Sequence, residues 1–81
     1  MARELLTRED YDSTIVGGEG VIVIVDKYTG RTAHPVDCPS VDAAHFVEKV
    51  IRNKRKNGHW YWAPSYPVAA QELYAQPCQC L

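Results

Sequence analysis

The sharpest hydrophobic signal in the chain is "VIVIVD", residues 21–26, an apolar β-branched run with no charge until Asp26. A run this short and this branched predicts a strand, and apolar residues on both faces predict a central, covered one. Ahead of it, Gly17, Gly18 and Gly20 punctuate the chain. Residues 1–13 are polar and mildly acidic, with one apolar pair, Leu5 and Leu6, and read as a short helical turn or a loose N-terminal arm. After Asp26, "KYTG" supplies a turn in which Gly30 can take a positive φ. "RTAH", residues 31–34, then returns as a second, antiparallel strand.

The period changes in "VDAAHFVEKVIRNKRKNG", residues 41–58, where Ala43, Phe46, Val47, Val50 and Ile51 fall three and four apart as one helical stripe. Ser40 is the expected N-cap, Asp42 suits the first turn and Gly58 is the expected stop. "HWYWA", residues 59–63, predicts an aromatic third strand with Trp60 and Trp62 on one face and Tyr61 on the other. Pro64 ends it. Pro67 suits the first position of a second short helix, "PVAAQELYA", with Ala70, Leu73 and Tyr74 inward, and Pro77 stops that helix. The order β-β-α-β-α predicts an α+β fold over residues 1–81 as one small domain: a β-hairpin plus a third strand, with two helices.

Length makes this core marginal. A chain of 81 residues buries only about 60–65% of its unfolded surface, and small scaffolds often add a metal, a disulfide or a partner subunit. A hydrophobic content of 46% argues against disorder, and a net charge of −1 gives no global case for nucleic-acid binding. No apolar run approaches the roughly 20 residues of a membrane helix. "MARELLTREDYDS" lacks an apolar signal core, so a cytoplasmic, reducing location is expected, in which three cysteines favour metal binding or thiols over disulfides.

Those cysteines raise the chemical question. Cys38 follows His34 in "HPVDC", and Cys78 and Cys80 lie at the tail in "PCQCL". A metal site, a lipid anchor and idle thiols compete as explanations of the tail. "CQCL" formally fits a prenylation box, but Gln79 and Cys80 are poor aliphatics and no polybasic stretch precedes them. His34, Cys38, Cys78 and Cys80 together offer one imidazole and three sulfurs, a Cys₃His set for tetrahedral zinc. The two pairs lie about 40 residues apart, so a zinc ion would clasp the hairpin's exit to the chain's end and its binding free energy would count as folding free energy. His45 and His59 are the stand-ins should Cys80 not ligate.

The stretch "TGRTAHPVDCPS", followed by "YWAPSYPVAAQELYAQPCQC", resembles the zinc-binding module of the Ada DNA-repair proteins and related small modules at the tails of some bacterial nucleases. Thr29, Gly30, His34, Cys38, Pro39, Tyr61, Ala70, Pro77 and Cys78 fall in matching order, and the resemblance covers roughly residues 21–80. It implies an α/β zinc module with ligands His34, Cys38, Cys78 and Cys80. Two departures stand out. The last pair is spaced by one residue rather than two, and His34 occupies the position of the family's methyl-accepting cysteine. An imidazole cannot act as a zinc-activated thiolate, so methyl-phosphotriester repair is not expected.

No catalytic set emerges. "GGEG" precedes a strand rather than a helix and so fails the phosphate-loop context, and four protein ligands would leave zinc no open position for water. The leading expectation is therefore a small intracellular, zinc-stabilised binding module without enzyme activity, an accessory protein of a bacterium or its phage. Two alternatives remain open. "RNKRKNGHWYW" mixes cations with rings, so Arg52, Lys54, Arg55, Lys56, Trp60 and Tyr61 would contact nucleic acid, unless the basic run is only a solvated helix end. Otherwise the aromatic strand would be buried against a protein partner or in a homodimer.

Overall fold

The computed structural model describes residues 2–27, 30–38, 41–56 and 58–78. The "VIVIVD" run forms β2 (Val21–Asp26), hydrogen-bonded on both sides. On one side lies β3 (Gly30–Pro35), antiparallel, with Ile22 opposite His34. On the other lies β4 (Gly58–Ala63), also antiparallel, with Ile22 opposite Trp62 and Asp26 opposite Gly58. Two short strands complete the sheet, β1 (Arg3–Glu4) beside β4 and β5 (Gln76–Pro77) beside β3, in the order β1-β4-β2-β3-β5. The fold is thus α+β, as its sequence pattern predicts, but among the described residues the sheet has five strands instead of three.

Strand alternation divides the apolar side chains between two faces. One face buries Leu5, Ile22 and Trp60 against Tyr11, Phe46 and Val50. The other buries Val21, Val23, Ala33 and Ala63 against Ala69 and Ala75. β2 is covered on both sides, which is why neither of its faces carries a polar residue before Asp26. The first face is aromatic: Tyr11 stacks on Phe46 at 4.8 Å, and Trp60 meets Phe46 edge-on at 5.5 Å. The second is built from small residues, which lets α3 (Tyr66–Leu73) pack on it. Leu73 packs inward there, whereas Tyr74, expected inward, is 74% exposed with φ at 56°.

The N-terminal segment is not a loose arm. Leu5 is fully buried, and its N–H donates to the Trp60 carbonyl at 2.8 Å. Residues Arg8–Gly17 form α1, a third helix, started by a reciprocal cap. The Thr7 hydroxyl accepts from the Asp10 N–H at 3.1 Å, and the Asp10 carboxylate accepts from the Thr7 and Leu6 N–H groups at 3.2 and 3.0 Å. Those backbone donors, the Leu6 N–H first, hold the Asp10 carboxyl below its ordinary value. Gly18 closes the helix in the left-handed conformation, φ 69°. Only Tyr11 and Thr14 of α1 are buried and Val16 is 88% exposed, so the helix has no apolar stripe for a sequence to display.

The long helix also differs from expectation. Its cap is Asp42, whose carboxylate accepts from the Ala44 N–H at 2.7 Å, while Ser40 lies outside the described residues. α2 spans Ala43–Phe46 and continues as a π-helical stretch, Val47–Arg52, in which the Asn53 N–H reaches back five residues to Glu48 at 2.9 Å. Lys54 and Arg55 then take left-handed conformations, φ 50° and 62°. The helix therefore ends near Arg52, and Ile51, counted in its apolar stripe, is 41% exposed. Gly58, expected as the stop, opens β4 instead, where a Cβ would stand 2.6 Å from the Val25 carbonyl oxygen. Only glycine fits there. No helix among the described residues is long and apolar enough to cross a membrane.

Candidate metal centre

β3 delivers His34 near its end, on the face it shares with Ile22. A turn follows, in which the Cys38 N–H donates to the Pro35 carbonyl at 2.9 Å and folds Cys38 back over the strand. The Val41 N–H then donates to the Cys38 carbonyl at 2.8 Å, leading the chain into α2. Cys38 is buried, and its Sγ lies 3.7 Å from His34 Nδ1.

Cys78 arrives from the far end of the chain. β5 runs parallel to β3, pairing Gln76 with Thr32 and Pro77 with Ala33. Continued by one residue, that register sets Cys78 beside His34, and the Cys78 N–H donates to the Ala33 carbonyl at 3.0 Å. Neighbours in register share a face of the sheet. The ligand atoms of His34, Cys38 and Cys78 accordingly lie within 4.8 Å of one another. These three side chains are close enough to hold a metal ion.

The spacing suits a tetrahedral ion. Ordinary zinc–sulfur and zinc–nitrogen bond lengths at a tetrahedral angle put a sulfur and a nitrogen about 3.6 Å apart, against 3.7 Å between Cys38 and His34. The protonation state fits as well. Burial holds the His34 imidazole below the ordinary histidine value, which favours the neutral form that ligates metals. In the absence of metal, the same 3.7 Å contact suits a thiol donating to a neutral ring nitrogen. Cys80, the fourth expected ligand, lies outside the described residues. Neither stand-in histidine joins the cluster: His45 is exposed on α2, and His59 Nδ1 is engaged with Glu4 Oε2 at 2.7 Å.

The residues expected to contact nucleic acid do not form one surface. Arg52, Lys54, Arg55 and Lys56 are exposed around the end of the π-helical stretch, with Arg55 4.0 Å from Glu4. Trp60 is 1% exposed and locked among Tyr11 and Phe46, so its ring has no face to offer a base. Tyr61 is half-buried on the opposite face of the sheet, beside α3. The stacking role assigned to Trp60 is thus corrected by its place in the core.

Comparison with protein-family models, with curated proteins and with solved structures finds no match for this chain. What the centre does must therefore be argued from its own geometry. Sequence spacing found His34 and Cys38, but it gave no account of how the tail reaches them. The carrier is β5, two residues long and half proline, which displays no strand pattern.

Proposed function

We propose that the protein is a small zinc-stabilised binding module that works in a reducing compartment and carries out no catalysis of its own. The observation that supports this reading is the convergence of His34 and Cys38 with Cys78 from the far end of the chain, within 4.8 Å. Two sulfurs and an imidazole favour zinc over the hard cations, which prefer oxygen. With Cys80 as fourth ligand the ion would be closed to water, as structural zinc is. Protein expressed and purified under reducing conditions is expected to carry one zinc per chain by elemental analysis. Metal-free protein that melts at the same temperature before and after a chelator would overturn the reading.

The resemblance to the Ada modules supports the same ligand set and an origin in a bacterium or phage, but not the repair chemistry. His34 stands at the methyl-accepting position, and the Cys38 thiol is buried. Incubation with DNA carrying methyl phosphotriesters is expected to leave the intact mass of the protein unchanged. A gain of one methyl group on a cysteine would show that a thiolate here does accept it.

A further inference from the structure

Cys38 and Cys78 are tethered to the same strand. The Cys78 N–H donates to the Ala33 carbonyl at 3.0 Å, and the Cys38 N–H donates to the Pro35 carbonyl at 2.9 Å. Ala33 and Pro35 are two apart in β3, so their carbonyls leave the strand on the same edge. The two sulfurs accordingly lie within 4.8 Å of each other. A disulfide brings its sulfurs to about 2 Å, and turning one cysteine to another χ1 rotamer moves a sulfur on that scale.

The two thiols differ in access. Cys38 is 4% exposed, whereas Cys78 is half-buried. A small dissolved oxidant therefore meets Cys78 first, with Cys38 behind it and screened from direct attack. An accessible sulfur beside a resolving one is the arrangement that stops oxidation at a reversible disulfide. As zinc ligands both sulfurs are thiolates, the form that reacts.

We propose that the candidate metal centre is also a redox site, at which a hydroperoxide converts Cys78 and Cys38 into a disulfide and the zinc ion is released. The exchange rests on the zinc reading of the same side chains. With hydrogen peroxide, the Cys78 thiolate attacks one oxygen. An S–O bond forms, the O–O bond breaks, and hydroxide leaves a sulfenic acid on Cys78. The Cys38 thiolate then attacks the Cys78 sulfur. The S–S bond forms, the S–O bond breaks, and a second hydroxide leaves. Two electrons pass from the sulfur pair to the peroxide, and buffer protonates both hydroxides. Of the three clustered donors only His34 remains, too few to hold zinc. A dithiol reverses the step, becoming a disulfide itself as it returns both thiolates. The cross-link closes the same long loop as the metal, which removes entropy from the unfolded chain. Disulfides of this transient kind are the ones met in reducing compartments.

The test treats the full, reduced, zinc-loaded chain with about one equivalent of hydrogen peroxide. Zinc release is followed with a chromogenic chelator, and the denatured chain is weighed. One zinc is expected to leave for each peroxide consumed, with the chain lighter by two hydrogen atoms. Digestion after lysine and arginine leaves Cys38 in residues 32–49 and both tail cysteines in residues 57–81. These peptides are expected to be joined, with fragmentation between Cys78 and Cys80 placing the bond on Cys78. A dithiol with added zinc is expected to restore the starting mass and metal content. The oxidised chain is expected to melt above the reduced, metal-free chain. A chain that purifies with zinc but keeps it under peroxide overturns the redox site and leaves the zinc reading standing. Oxidation to sulfinic acid without a cross-link does the same, as does a bond through Cys80. A chain that purifies without zinc overturns both.

Discussion

Removing the proposed zinc ion is expected to unfold the protein rather than loosen its tail. Structural zinc contributes about 10–16 kcal/mol of apparent binding free energy in small zinc-dependent peptides at neutral pH. A domain of 81 residues has about 4–12 kcal/mol of total stability at the usual 0.05–0.15 kcal/mol per residue. Even a fraction of the former exceeds much of the latter. The geometry says which parts depend on it. β5 holds β3 through only two residue pairs, and the Cys38 carbonyl accepts from the Val41 N–H just ahead of α2, whose Phe46 anchors the aromatic face. A chelator in reducing buffer is expected to abolish the far-ultraviolet signal of both helix and sheet at 25 °C. Cys38→Ser and Cys78→Ser should each purify with less than one zinc and melt well below the parent. Acid should act in the same direction, because protons compete with the ion for the thiolates and the imidazole. Circular dichroism melts with and without chelator decide the matter. A cysteine variant that melts with the parent and does not respond to chelator would mean that the cluster is held by packing alone.

The parts of the fold that were legible in the sequence are those in which side-chain chemistry repeats. The β-branched run of β2 and the alternation of Trp60, Tyr61 and Trp62 appear where their patterns place them, and α3 starts at Tyr66, one residue ahead of Pro67, and ends at Leu73, before Pro77. α1 escaped because its stability comes from the Thr7–Asp10 cap and a few contacts rather than from an apolar stripe. β1 and β5 escaped because two residues have no period. At the candidate metal centre, the spacing of His34 and Cys38 survives as a real contact, since a turn joins them locally. The approach of Cys78 is tertiary, set by parallel pairing with β3, and no local pattern encodes it. The π-helical stretch was equally hidden. The winding departs from α-helical at Val47, whereas the sequence reads as one continuous helix to Gly58.

Truncating Trp60 is expected to be the most damaging single change away from the candidate metal ligands. The indole is 1% exposed and lies edge-on to both Tyr11 and Phe46, with ring centroids 6.1 and 5.5 Å away. It therefore joins α1, α2 and the sheet in one contact, and it is the largest of the fully buried side chains among the described residues. Aromatic-to-alanine changes in cores cost about 3–5 kcal/mol, a large share of what so small a domain possesses. At about 4–8 °C per kcal/mol for a domain of this size, Trp60→Ala should lower the melting temperature by about 12–40 °C. Trp60→Phe keeps much of the ring volume and should fall between the variant and the parent. Val16→Ala, at a position 88% exposed, should stay within about 0.5 kcal/mol of the parent. The same series separates the two roles the sequence allowed for this residue. A base-stacking tryptophan would lose nucleic-acid affinity on truncation while the fold held. A core tryptophan loses the fold first. A Trp60→Ala protein that melts within a few degrees of the parent would show that the aromatic face is not what joins α1 and α2 to the sheet.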